Sequence, residues 1–327
     1  MQAVSRVRRV AGRVRIALRP GVLGRLRARI PWRIVTRRAK VSSLTRYFEE
    51  RHGYAPNLDE PRTLSEKLLW YKLFYRDPLM WQCADKVRMR DYVAQVLGPG
   101  HTAELFGVWG PKDEIPFDDL PEQFVLKFNA SSGTNIICTD KSELDIAAAR
   151  ARARAWVAPE SAFYLRSYEW VYKGIPPQVL AEELLDPTGG GIRDYKVMCF
   201  NGLAKFGFIN SHVGGKLYAD YFSAAGEPLP VQRRNPRSAQ PPSIPQEWAT
   251  IVSLAERLAE PFPHVRVDFY VTGDRILVGE LTFITGDAVE PISPPEWDTI
   301  LGDMWELDQR PARLPRFEVL RRHVFAP

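Results

Sequence analysis

The alternation of apolar and polar side chains is most regular in "VRVDFYVTGDRILVGELTF", residues 265–283. Val265, Val267, Phe269 and Val271 point one way and Arg266, Asp268 and Tyr270 the other, a two-residue period that predicts a strand. After a Gly-Asp turn signal the period resumes. Ile276, Val278, Glu280 and Thr282 share one face, and Leu277, Gly279, Leu281 and Phe283 share the opposite one. Two registers close this hairpin. A turn at Gly273-Asp274-Arg275 sets Asp268 opposite Glu280 and Arg266 opposite Thr282, whereas a turn at Thr272-Gly273-Asp274 pairs Arg266 with Glu280 and leaves the carboxylates diagonal. Either register brings two acids together, which is unfavourable unless a cation or a proton is shared between them.

Upstream, residues from about 43 to 97 carry the spacing of polar-faced helices. Thr63 and Glu66 are placed for a capping box, and Pro78 after Asp77 opens a further helix. "FVLKFNASSGTNIIC" predicts a strand, a small polar loop and a second strand, and "DIAAARARARAWV" a helix. "PPQVLAEELL" reads as a strand, "DPTGGG" as a turn, and "IRDYKVMCFNGLAKFGFIN" as a hairpin turning at Asn201-Gly202. Residues 226–245, rich in Pro and Arg, read as a long loop, and "EWATIVSLAERLAEPF" as an amphipathic helix. Helices mixed with hairpins, without strict βαβ alternation, predict an α+β fold with antiparallel sheets.

Composition alters this picture at one end. With 327 residues the chain has room for two or three subdomains. Its net charge of +6 comes from residues 1–40, which hold twelve Arg, one Lys and no acid; the remainder carries 32 basic and 39 acidic groups, a net of −7. In that arm Val4, Val7, Val10, Val14 and Leu18 recur at helical spacing until Pro20. A basic amphipathic helix of this kind lies on an anionic membrane surface or against nucleic acid. A solvated extension or an Arg-rich transit peptide fits the same residues. No nucleic-acid-reading module follows, so no specific nucleic-acid partner is expected. Cys83, Cys138 and Cys199 fit neither a metal spacing nor a disulfide framework, as in a reducing cytoplasm. No apolar run approaches the roughly 18 residues of a membrane span. The expected location is cytoplasmic, with the arm at the inner face of the cell membrane.

Candidate chemistry begins with Lys127, which ends an apolar strand directly before a Ser/Gly loop. Backbone N–H groups of such a loop approach an anion closely and a Lys adds a point charge, although a strand-end Lys beside a loop is more often simply solvated. Glu182 and Glu183 close the strand "PQVLAEELL", where a carboxylate binds a ribose hydroxyl and the strand backbone beyond reads an adenine edge; ordinary solvation is the alternative. Lys196 faces the same way as Asp194 and Met198, the place of a surface lysine on a half-buried strand. On the first hairpin, Asp268 and Glu280 supply the hard oxygens Mg²⁺ prefers, Thr282 adds a hydroxyl, and Arg266 would neutralise a phosphoryl group in transfer. A structural Arg-carboxylate cluster accounts for the same residues. His101, His212 and His264 lack metal spacing, and His212 in "NSHVGG" reads as a loop residue. There is no Walker loop, nucleophile elbow or kinase catalytic loop.

Six segments occur in a recognisable order: "LSEKLLWYKLFYRDPLMWQCADKVRMRDYV", "FGVWGPKDEIPFDDLPEQFVLKFNASSGTNIIC", "LAEELL", "DYKVMCFNG", "VRVDFYVTGDRILVGELTF" and "PPEWDTILGDMWEL". Together they resemble TupA-like ATP-grasp proteins over about residues 60–307. The resemblance implies two α+β subdomains clasping ATP, after a basic arm (1–40) and a helical region (41–100), with the ATP-grasp domain at 101–310 and a tail at 311–327. It implies that Lys86 and Lys127 bind ATP phosphates, that Ser132 and Gly133 belong to the loop over them, and that Glu182, Glu183, Leu184 and Leu185 contact adenine and ribose. Asp268, Glu280 and Thr282 become Mg²⁺ ligands, Arg266 the arginine on the transferring phosphate, and Lys196 a supporting cation. Two departures stand out. Relatives read "NHGSG" where this chain has Asn129-Ala130-Ser131-Ser132-Gly133, and a Pro/Gly-rich turn where it has "ITGDAVEP" after "GELTF".

The activity so implied is a carboxylate-amine ligase, dependent on ATP and Mg²⁺ and working through an acyl phosphate, in surface polysaccharide or glycopeptide polymer biosynthesis. Its partners would be a small-molecule or glycan carboxylate and an amine. Two other readings keep the fold: a kinase acting on a glycan or lipid-linked precursor, and a nucleotide-binding partner in polysaccharide assembly without catalysis.

Overall fold

The computed structural model describes residues 37–158, 164–185 and 194–308. Nearly all of the basic arm, the "DPTGGG" turn and the tail at 311–327 lie outside the described residues. The helices are α1 (Arg37–His52), α2 (Leu64–Phe74), α3 (Pro78–Ala84), α4 (Arg88–Leu97), α5 (Ile146–Trp156), α6 (Tyr164–Ser167), α7 (Trp248–Ala259) and α8 (Glu296–Asp303). The strands are β1 (Leu105–Trp109), β2 (Phe124–Phe128), β3 (Asn135–Cys138), β4 (Val179–Glu182), β5 (Asp194–Phe200), β6 (Leu203–Val213), β7 (Lys216–Ser223), β8 (Pro228–Leu229), β9 (His264–Thr272) and β10 (Arg275–Thr282).

Local signals placed most of these elements. Thr63 Oγ accepts from Glu66 N (3.1 Å) while the Glu66 carboxylate accepts from Thr63 N (3.2 Å), the reciprocal cap that starts α2. Asp77 caps α3 by accepting from Leu79 N (2.8 Å), with Pro78 at the first turn. Asn201 and Gly202 take φ of 51° and 78°, as the tight turn between β5 and β6 demands. His212, read from the sequence as a loop residue, lies in β6 near its exposed end, because Gly214 and Gly215 (φ 59° and 77°) make the turn two residues later.

Two antiparallel sheets result. The smaller runs β1-β4-β2-β3 and the larger β10-β9-β5-β6-β7-β8. Helix α7 turns Trp248, Ile251, Leu254, Ala255 and Leu258 inward and lies against β5, β6 and β9. Gly207 is needed under it, since a Cβ there would sit 2.6 Å from both the Trp248 ring and the Lys196 carbonyl. Helices α3 and α4 pack on β10, which carries the junction between them to the hairpin's charged face. All three cysteines are buried and free, and among the described residues no helix is long and apolar enough to cross a membrane.

Candidate active site

The β9–β10 hairpin resolves its two possible registers in an unanticipated way. Its loop is the two-residue Gly273-Asp274, which pairs Leu277 with Tyr270 and Val278 with Phe269. A β-bulge at Gly279 then shifts the pairing by one, so that Glu280 faces Asp268 and Thr282 faces Arg266. The bulge also breaks the strict alternation: Leu277, not Val278, shares the Asp268 face. Gly279 is required there, because an added Cβ would lie 2.5 Å from the Tyr270 ring.

On that face every acid has a cation. Arg266 grips Asp268 through Nε (2.6 Å) and Nη2 (2.7 Å), and Nη2 also donates to Thr282 Oγ1 (2.9 Å). Lys196 is no surface lysine: its side chain is 11% exposed and it pairs with Asp268 and with Asp194 (2.6 Å). Burial works against the Arg266 charge, but Asp268 and Glu280 outweigh it and raise the guanidinium's pKa. Burial would likewise raise Glu280, yet Lys86 and Arg266 hold its carboxyl down to about 2.

Lys86 arrives from the α3–α4 junction. Its Nζ donates to Glu280 Oε1 (2.9 Å) and to the Ser131 carbonyl (2.7 Å), tying the Ser/Gly loop to the hairpin. Asn129 fixes the loop's start: its Nδ2 donates to Asp85 Oδ1 (3.0 Å), and its carbonyl accepts from Lys86 N (3.2 Å). Ser132 is exposed at the cleft and Gly133 takes φ 69°. Lys127 pairs with Glu182, and Arg90 lies 3.7 Å from the same carboxylate. These three, with Leu185, Tyr270 and Leu277, line a narrow crevice between the sheets. Glu183 and Leu184 do not face it. Glu183 is held by Arg275 at 2.7 and 2.8 Å, across from β4 to the hairpin turn, and Leu184 lines a separate surface hollow.

Beyond the hairpin a cavity of about 370 Å³ opens beside Lys196, Arg266, Glu280 and Thr282. Its lining also holds residues the sequence reading passed over: Glu169, Arg233, Arg234, Asn235, Asp287 and Glu290. Burial pushes the Glu169 carboxyl up to about 8, with Lys72 opposing and Asp287 and Glu280 adding to the rise. Fully buried Lys72 pairs with Asp287 and donates to its carbonyl (3.0 Å), bracing the left-handed run Gly286-Asp287-Ala288 (φ 59°, 56° and 59°). Among the described residues no three of His, Cys, Asp and Glu gather into a metal-binding group. Two carboxylates and a hydroxyl instead suit a Mg²⁺ that takes its remaining oxygens from phosphates and water.

The sequence model of TupA-like ATPgrasp proteins matches residues 66–306. The chain belongs to the TupA-like ATP-grasp family. Its paired antiparallel sheets are those of the ATP-grasp fold. No curated protein matches the sequence. Among solved structures, the D-alanine–D-alanine ligase of Bacillus anthracis complexed with ATP is similar at 13% identity and TM-score 0.40, covering 63% of this chain and 56% of that one. The ATP-grasp ligase PsnB with minimal precursor, Mg and ADP has 13% identity and TM-score 0.35, covering 68% and 58%. N5-carboxyaminoimidazole ribonucleotide synthetase of Thermus thermophilus has 13% identity and TM-score 0.33, covering 62% and 45%. The TupA-like chain thus spans about half the length of these structures.

Two signals in this TupA-like sequence were available for what was missed. A glycine inside the regular alternation of β10 marks a bulge, and adjacent arginines in "VQRRNP" mark a concentration of positive charge within the long loop.

Proposed function

We propose that the protein is an ATP- and Mg²⁺-dependent carboxylate-amine ligase. The observation that carries this is the convergence of Asp268, Glu280, Thr282, Arg266 and Lys196 on one sheet face, met by Lys86 from the α3–α4 junction. In this reading the crevice takes the nucleoside, with Glu182 toward the ribose, Leu185 and Leu277 against the base, and Lys127 and Lys86 on the phosphates. Glu183 and Leu184 contribute through the backbone that follows β4. Ser132 and Gly133 cover the phosphates. Asp268, Glu280 and Thr282 would hold the metal, which supplies charge neutralisation on the phosphates during transfer.

The arrangement exchanges partners. Arg266, Lys196 and Lys86 now neutralise carboxylates and would move to phosphoryl oxygens as those carboxylates accept the metal, so the low pKa of Glu280 keeps it ionised for that role. An acceptor carboxylate oxygen in the cavity bonds to the γ-phosphorus while the bond to the β-phosphate oxygen breaks and ADP leaves. An amine then bonds the acyl carbon, phosphate departs with the C–O electrons, and the amine loses a proton. That proton passes to water; Glu169, which burial keeps largely protonated near neutral pH, does not take it. A surface polysaccharide or its precursor as acceptor rests on the family resemblance, and placement at a membrane on the basic arm alone.

ADP release measured over a panel of amino acids and uronic acids tests the reading, with Asp268→Asn as control and phosphorus NMR of the mixture. Free phosphate that appears with ADP only when both acid and amine are present supports a ligase. A stable phosphoester would replace it with a kinase, and nucleotide binding without ADP formation with a non-catalytic role.

A further inference from the structure

The cavity that Arg266 and Lys196 line also carries a cation that the protein leaves underused. Arg233 is 7% exposed at its side chain, and its Nε is buried without a hydrogen-bond partner. Its nearest carboxylate oxygen, on Glu290, is 3.7 Å from Nη2, beyond hydrogen-bond reach. A buried guanidinium with an unused donor is costly, and single-point attraction to a distant carboxylate does not offset it. Arg234, next to it on the same wall, makes no ion pair among the described residues. The other wall acids do not cancel these charges: Asp287 is held by buried Lys72, and Glu169 is kept largely protonated below about pH 8 by burial.

The segment that carries the two arginines is held on both sides. Val231 is fully buried, and Gln232 and Ser293 exchange backbone hydrogen bonds (2.8 and 2.9 Å). Past the arginines, the Pro236 carbonyl accepts from Ala219 N (3.0 Å), and Ser238 donates from N (3.0 Å) and Oγ (2.6 Å) to Asp220 on β7. Gly286 closes the arrangement from below, since a Cβ there would come within 2.5 Å of Arg233 Nη2 and 2.6 Å of Glu290 Oε2. The fork is thus placed by backbone anchors rather than by an internal ion pair, as preorganised binding of an external group requires.

We infer that Arg233, with Arg234 and Asn235 beside it, forms an anion subsite that holds a carboxylate or phosphate on the acceptor, distinct from the group phosphorylated near Arg266. The acceptor then carries two polar handles, one reacting over the hairpin and one anionic anchor across the cavity. This rests on the reading of the cavity as the acceptor site. A planar guanidinium reads either oxyanion in bidentate fashion, which a lysine does not reproduce.

The test is calorimetric titration of the full chain saturated with Mg²⁺ and a non-hydrolysable ATP analogue, using inorganic phosphate, glucuronate, glucose 1-phosphate and neutral glucose as probes. The anions bind and glucose does not; the tighter of glucuronate and glucose 1-phosphate names the anchor as carboxylate or phosphate. Arg233→Gln weakens anion binding about 10- to 100-fold, the loss of a charge-assisted hydrogen-bonded contact. Arg233→Lys recovers part of it, and the ATP analogue binds all variants equally. Arg234→Gln, on an exposed side chain, carries a smaller loss and serves if Arg233→Gln does not fold. The inference is overturned if no anion binds, if glucose binds as well, or if both arginine variants bind anions like the parent. Failure of the ATP analogue to bind the parent chain would instead refute the proposed function.

Discussion

At one end of the cleft Asp268, Glu280, Arg266, Lys196 and Lys86 neutralise one another side chain by side chain; at the other, Glu169 and Arg233 are buried with little to balance them. The hairpin end sits on strands whose register fixes each pair, and there Lys86 and Arg266 hold the Glu280 carboxyl well below its ordinary range against burial. The far end sits on loops anchored by their backbone, and there burial wins over compensation. The difference lies in charge balance: strand register supplies each hairpin group with an opposite charge, whereas the loops that carry Glu169 and Arg233 leave theirs poorly matched.

The largest effect should come from unbalancing the hairpin. Asp268→Asn leaves Arg266 and Lys196 facing one another without their shared acid, a change of the kind that costs about 3–5 kcal/mol at a buried pair. It should abolish nucleotide turnover and lower the thermal midpoint. Full activity in that variant would show the cluster to be structural only. A smaller loss, about 1–3 kcal/mol, is expected from Gly279→Ala, since the new methyl meets the Tyr270 ring at 2.5 Å. Chemical denaturation measures it, and an unchanged midpoint would mean that the Tyr270 ring yields to the methyl and that Gly279 is not required at the bulge.

These two positions also show what the sequence made legible. Strand period and the Gly-Asp signal placed the hairpin, and spacing alone brought Asp268, Glu280, Arg266 and Thr282 to one face, because strand geometry is local. Neither of the two weighed registers included the bulge, although Gly279 within the alternation was a signal for it; the close approach of the Tyr270 ring that excludes a side chain there is a cross-strand contact. The capping box at Thr63 and the Asn201-Gly202 turn were legible for the same local reason. Arg233, Glu169 and Lys72 were not, for their environments come from contacts distant in sequence: Lys72 meets Asp287, and the Arg233 segment is pinned by Ser293 and Asp220. The ties of Lys86 to Glu280 and of Glu183 to Arg275 are likewise non-local. Lys86 came only from family resemblance, and Glu183 was read as facing the nucleotide, whereas the structure turns it to the turn arginine.

The far end should reveal itself through pH. Glu169 titrates near 8 in the fold against 4.5 when unperturbed, so the native state holds a proton the unfolded chain has lost. Stability from this group is therefore full below about pH 4.5, declines as pH rises, and is gone above about pH 8. Glu169→Gln should flatten that decline in melts taken between pH 5 and 9, and an identical pH profile in both proteins would remove the imbalance. The smallest effect, about 0–1 kcal/mol, belongs to Glu183→Gln, which loosens the partly exposed tie to Arg275 without touching either end of the cleft. A loss as large as that of Asp268→Asn would make this exposed tie as important to stability as the buried hairpin cluster.

The central claim is that the hairpin carboxylates exchange their cations for a metal held together with a nucleotide's phosphates. Titration of Mn²⁺, as a paramagnetic stand-in for Mg²⁺, followed by electron paramagnetic resonance with and without a non-hydrolysable ATP analogue, addresses it directly. Tight Mn²⁺ binding that requires the nucleotide, and that is lost in both Asp268→Asn and Glu280→Gln, is the predicted result. Binding that ignores the nucleotide or survives both substitutions would contradict it.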